Sequence, residues 1–253
     1  MGIEREQDVT PAVMEVMERT PDPRLREIMV SLVKHLHGFI RDVRLTEAEF
    51  RDATAILNEM GRLSTDTHNE MVLMAGSLGV SSLVCLLNNG DGNTETSQSL
   101  LGPFWRLNSP RTPNGSSIIR SDMSGPPLFV QARVVDQAGQ PITGAEIDVW
   151  HCSPDGLYEN QDPKQADHNL RGKFTTDAGG RFWFRTVKMV GYPIPADTVV
   201  GRLLQAQRRH PYRPAHLHTL IFKEGFKVLI SQVYDPHDLM TIGMRPWVSG
   251  HAP

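Results

Sequence analysis

Cysteine is almost missing from this 253-residue sequence, with only Cys85 and Cys152 present. A disulfide scaffold is excluded, and without a CxxC pair or an HExxH segment any zinc site would be irregular. Long apolar runs are missing too, since none approaches the roughly 20 residues of a membrane-spanning helix. The opening "MGIEREQDVTPAV" lacks the apolar centre of a signal peptide, and position six lacks the Ser or Thr of a myristoylation signal. Nor is there an excess of positive charge: the formal net charge is −3, the pI is near 6.4, and no Lys/Arg cluster recurs along a helix face. We therefore expect a cytoplasmic protein with reduced thiols, no nucleic-acid partner and no membrane partner, acting on a small neutral or anionic ligand.

What is present is an ordinary globular composition, 39% hydrophobic and 22% charged, on a chain long enough for one large or two smaller domains. The first ninety or so residues read as helices. In "DPRLREIMVSLVKHLHGFIRDV", Leu25, Ile28, Met29, Leu32, Val33, Leu36 and Ile40 recur at spacings of three and four behind Asp22 and Pro23, a cap and first turn. "TEAEFRDATAILNEMGRL" begins with Thr46 and Glu49 in capping-box order. The run "HNEMVLMAGSLGVSSLVCLLN" is apolar nearly all round, which predicts a helix buried between other elements. After "NNGDGNTETSQS" the texture changes to turn formers and short alternating runs: "PLFVQARVVD", "AEIDVWHCS", "GKFTTD", "RFWFRTV", "HLHTLIF" and "KVLISQVYD". The expected fold is α+β, with a helical domain over 1–98 followed by an antiparallel β-sandwich domain over 99–253.

The tripeptide HLH occurs twice, at His35/His37 and at His216/His218. Residues two apart on a helix point about 200° apart, so the first pair reads as helix surface. On a strand the same spacing puts both rings on one face, so the second pair can chelate an ion once further ligands are found. Candidates in that half are Tyr158, Tyr192, Tyr212 and Tyr234, the Cys152 thiolate for zinc, and Asp155 or Asp235 for a two-histidine ferrous site. Spacing alone does not choose among them.

"VWHCSPDGLYEN", "GYPIP", "RPAHLH" and "ISQVYD" resemble, in order, four signature blocks of the intradiol ring-cleavage dioxygenases. The helical first half and "LLGPFW" are similar to the catechol and hydroxyquinol 1,2-dioxygenase branch of that family. This resemblance implies one Fe(3+) per chain, bound by Tyr158, Tyr192, His216 and His218, and O2-dependent cleavage of an aromatic diol, hydroxyquinol before catechol or chlorocatechol. Phenolate oxygens suit a hard ferric ion, and imidazole is an acceptable borderline donor. By the same resemblance Tyr192 takes a proton from the diol, Arg213 stabilises negative charge on the activated ring, and Gln232 orients the ligands from behind. His151 is taken as packing or as a support to the ligands. Leu101, Gly102, Pro103, Phe104, Ile194, Pro195 and the segment around Gly76 are expected to wall the ring. At Gly76 and Ser77 the chain departs from relatives that carry a carboxylate, which removes one means of reading a third hydroxyl. The resemblance also implies a homodimer, with a lipid-like molecule at its interface. Two readings compete: "GQPITGAEIDVW" looks like a transthyretin-like ligand-binding sandwich, and His216 and His218 with an acidic residue would make a zinc hydrolase.

Overall fold

The computed structural model describes residues 5–65, 68–89 and 96–238, and these fall into two compact units that divide between Asn58 and Glu59. The first unit holds α1 (Glu6–Met17), α2 (Pro23–Val43) and the start of α3 (Glu47–Leu63), which runs on into the second. The expected caps are present. Asp22 accepts hydrogen bonds from the backbone of Arg24 and Leu25, and Thr46 and Glu49 bond reciprocally, so the orphan amides of both helix starts are satisfied. On α2, His35 is exposed while His37 Nδ1 bonds Thr10 Oγ1 of α1 at 2.9 Å, so this HLH is helix surface as expected.

In the second unit the third apolar run departs from expectation. It forms two helices, α4 (Glu70–Ser77) and α5 (Val80–Asn89), bent by 77° at Leu78–Gly79, where Gly79 takes φ +74°. A glycine in the left-handed region ends α4, because its amide can turn back to Gly76 O without a Cβ clash. Nor is the run buried: α5 leaves Val80, Leu83, Val84 and Leu87 exposed. Among the described residues no single helix is long and apolar enough to cross a membrane.

The strands follow as β1 (Pro127–Arg133), β2 (Glu146–Trp150), β3 (Arg171–Thr175), β4 (Arg181–Val187), β5 (Tyr192–Pro193), β6 (Tyr212–Arg213), β7 (His216–Phe222) and β8 (Leu229–Tyr234). All named pairings are antiparallel, in a four-stranded sheet β3-β2-β7-β8, a pair β1-β4 and a short ribbon β5-β6. Period-two burial orients the layers: β4 turns Phe182, Phe184 and Thr186 inward and Arg181, Trp183 and Arg185 outward. Phe184 stacks on Phe174 of β3 at 4.9 Å, and these rings join Ile147, Val149 and Leu217 in one core. The α+β fold with a sandwich-like second half is thus as expected.

A short helix between the ribbon strands, α6 (Val199–Ala206), was not foreseen. Thr198 caps it, and the fully buried Glu70 of α4 reaches across to accept from Val200 N at 2.9 Å. An anion at a helix N-terminus meets both unpaired amides and the positive end of the dipole. Leu73 of α4 packs on Ile194, Val200 and Leu204 in the same contact.

Candidate metal centre

β7 lies between β2 and β8, so its two histidines are positioned from both sides. Being two apart on a strand, His216 and His218 share a face and bring their Nε2 atoms to 3.0 Å. Opposite His218 on β2 is Trp150, whose ring stacks on the imidazole at 4.7 Å and 7°. β2 then leads into a turn in which Gly156 takes φ +81°, and Tyr158 returns from it into the core. Tyr192 comes from β5, opposite Arg213 of β6. The two phenol oxygens meet at 3.3 Å with their rings edge to face, and Tyr192 and Tyr158 lie beside His216 and His218 at ring distances of 5.7 and 6.5 Å. All four side chains are buried.

Burial sets their protonation. It holds the His216 imidazole down at about 3 and His218 well below its usual range, and it raises Tyr192 to about 12 and Tyr158 well above 10. The Arg213 charge also pushes both histidines down and eases both phenols. Near neutral pH the site therefore has two imidazoles ready to donate and two phenols that only a strong Lewis acid would ionise. Gln232, opposite His218 on β8, donates from Nε2 to Leu100 O at 2.9 Å and lies 3.2 Å from His218 Nδ1; Tyr234 Oη donates to its Oε1 at 2.5 Å. His216 Nδ1 bonds Pro214 O at 2.6 Å. Both imidazoles thus turn Nε2 into the cluster, with Pro214 O accepting from His216 Nδ1 and the Gln232 amide standing beside His218 Nδ1.

The other ligand candidates are elsewhere. Among the described residues no three His, Cys, Asp or Glu side chains converge; Asp155 is exposed, and Asp235 pairs with Lys188 at 2.8 Å. Burial pushes the Cys152 thiol up to about 11, so it is no ready thiolate. Tyr212 is half open to solvent. A zinc site with a carboxylate or thiolate has no third donor here, whereas two phenols and two imidazoles suit a ferric ion. Two nitrogens 3.0 Å apart are also spaced as neighbours on one ion, given metal–nitrogen bonds of about 2.1 Å.

Most expected wall residues adjoin this cluster. Phe104 stacks on Tyr158 at 4.7 Å, and Leu101 packs on the same core. Gly102, at φ +79°, leaves only 3.2 Å between a Cβ placed there and His218 Cε1. Pro103 is half-buried in the same turn, and the half-buried Pro195 follows Ile194, which packs against Leu73 of α4. Gly76 is one turn beyond Leu73, with nothing within 4 Å of where a Cβ would stand. His151 is structural in its contacts: buried, it bonds Cys152 O and Thr186 Oγ1, both at 2.7 Å. Three features had no reading in the sequence: the Trp150 stack, the buried Glu159–Arg171 pair beside Tyr158, and the His68–Glu70 pair near Phe104. A cavity of about 500 Å³ between α5 and β8 is lined by Leu100 and Leu101, which border the site.

The family model described as "Dioxygenase" matches residues 101–246, and "Catechol dioxygenase N terminus" matches residues 22–96. The chain belongs to the intradiol ring-cleavage dioxygenases. This dioxygenase is 41% identical to the hydroxyquinol 1,2-dioxygenase of Rhizobium sp. (strain MTP-10005), over 88% of the chain and 75% of the relative. It is 37% identical to the catechol 1,2-dioxygenase of Candida albicans, over 84% of the chain and 71% of that protein. Its fold matches the hydroxyquinol 1,2-dioxygenase structure from Pseudomonas putida DLL-E4 with a TM-score of 0.83 and 36% identity, covering 92% of this chain and 82% of the other. A non-enzymatic sandwich or a zinc hydrolase is no longer a competing reading of this enzyme.

Proposed function

We propose that the enzyme cleaves hydroxyquinol between its adjacent hydroxylated carbons with O2, giving maleylacetate, and that one ferric ion per chain is held by Tyr158, Tyr192, His216 and His218. The observation that carries this is the convergence of two buried phenols and two buried imidazoles, with no carboxylate or thiolate converging on them among the described residues. A ferric ion bound there would supply the Lewis acidity that ionises the phenols and a diol, and the ionised diol is the electron-rich form that reacts with O2.

The side chains then have distinct tasks. Tyr192, beside Arg213, receives one of the two protons of the diol at Oη, while Tyr158, packed under Phe104, stays in place. The Arg213 guanidinium is permanently charged and stabilises the negative charge that builds on the ring. Gln232 holds His218 in position from β8. Leu101, Gly102, Pro103, Phe104, Ile194 and Pro195 exclude water along the ring, and the bare Gly76 leaves room for a substituent. Hydroxyquinol is placed first because relatives named for it share 41% and 36% identity with the chain, with catechol as the second substrate. On α2, Leu25, Ile28, Leu32, Leu36 and Phe39 form an exposed apolar stripe, which supports a homodimer.

Visible absorption of the iron-quantified protein, before and after anaerobic addition of hydroxyquinol, tests the reading. A red-brown band that moves on adding the diol is expected, and a protein that stays colourless after ferric reconstitution would refute the ligand assignment. Turnover then orders the substrates: a preference for catechol of about tenfold or more in kcat/KM would overturn hydroxyquinol as the first choice.

A further inference from the structure

The ring of Tyr158 has a cation over it. Arg171, the first residue of β3 and paired with Trp150 of β2, sets its guanidinium carbon 6.0 Å from the Tyr158 ring centroid. The side chain is 1% exposed. Its Nε donates to Glu159 Oε2 at 2.7 Å, and the other Glu159 oxygen accepts from Arg106 Nη1 at 2.6 Å. Arg106 also reaches the exposed Asp167 at 2.8 Å, so this chain of charges meets water only from Arg106 outward. Neither Nη1 nor Nη2 of Arg171 has a hydrogen-bond partner among the described residues.

That arrangement is costly. Desolvating two ions commonly exceeds their mutual attraction, and unpaired donors add to the penalty, so an apolar side chain of similar size would serve packing better. What arginine provides and leucine or methionine does not is a permanent positive charge against the ring, barely screened in a dry interior. We infer that Arg171, clamped by Glu159, is a positioning residue that sets how strongly the Tyr158 oxygen donates to the ferric ion, by holding a fixed charge over the phenol ring. The inference rests on the ligand assignment proposed above. A cation over the ring face lowers the energy of the phenolate donor electrons, and the phenolate-to-iron absorption band reports that energy directly.

The test uses ferric holoprotein, with iron quantified and spectra taken without substrate. Arg171→Met removes the cation, so the band should move to longer wavelength. Glu159→Gln removes the anion that offsets it, so the band should move to shorter wavelength. Arg171→Lys keeps the charge and should stay near the wild-type position, and with Glu159→Gln it carries the test if Arg171→Met does not fold. Shifts of opposite sign support the inference, because a merely structural role would displace both variants alike or cost iron. Iron-loaded variants whose bands match the wild type, or move together, overturn it. A wild-type ferric protein without such a band overturns the ligand assignment itself, which separates the two failures.

Discussion

Gly156 shows how little space one residue of the site has. Its φ is +81°, and a Cβ placed there would stand 2.8 Å from the Cβ of Tyr192. Gly156→Ala therefore meets both a strained backbone and a side chain that is itself boxed in. We expect it to destabilise the protein by about 1–3 kcal/mol and to lower the iron bound per chain, read from the urea midpoint and from metal analysis. Undiminished iron and stability would show that Tyr192 can move aside. At this scale the clustering of the four side chains was legible, because an HxH on a strand converges by period alone and the tyrosine blocks carry a family pattern. Trp150 and Arg171 were not. Trp150 faces His218 across a sheet, and Arg171 meets Glu159 and Tyr158 of the turn after β2; one sequence states neither strand register nor such a return.

Elements were read well where local chemistry decides them. Caps at Asp22 and Thr46 and the alternation of β4 stand as expected, since each depends on residues a few positions apart. The bend at Gly79 was missed because apolar composition on both sides continues across it; only the left-handed glycine marks the break. For α6 the signal was faint: two turns of helix do not persist alone, and this one is held by Glu70 from 130 positions earlier in the chain. Glu70→Ala takes the acceptor from Val200 N and leaves the His68 imidazole, now 2.8 Å from the carboxylate, without it. We expect a loss of about 1–3 kcal/mol in unfolding free energy. Because Ile194 packs on the same contact, KM for the diol should rise more than kcat falls; unchanged kinetics would mean that α6 does not support the pocket wall.

For the whole molecule, acid is the sensitive direction. Burial holds His151 at about 4, His216 at about 3 and His218 well below 6.5 in the ion-free protein. As the pH falls below about 6.5 the unfolded chain takes up these protons first and the folded chain does not, so stability present above that value is lost on acidification. With three such groups the slope approaches about 4 kcal/mol per pH unit before the folded state begins to titrate. Urea midpoints of the ion-free protein at about pH 7 and about pH 5 should differ accordingly, and a flat profile would contradict neutral buried imidazoles.

The four donors also span distant parts of the chain: Tyr158 follows β2, Tyr192 is on β5, and His216 and His218 are on β7. An ion bound by all of them is a cross-link in a protein that has no disulfide among its two free cysteines. It ties off the roughly sixty residues from Tyr158 to His218, and a covalent bridge closing a loop of that length would restrict the unfolded chain by roughly 4 kcal/mol. A metal held at the proposed site would thus serve as the molecule's staple besides its part in the chemistry, and stripping it should loosen the architecture along with abolishing turnover.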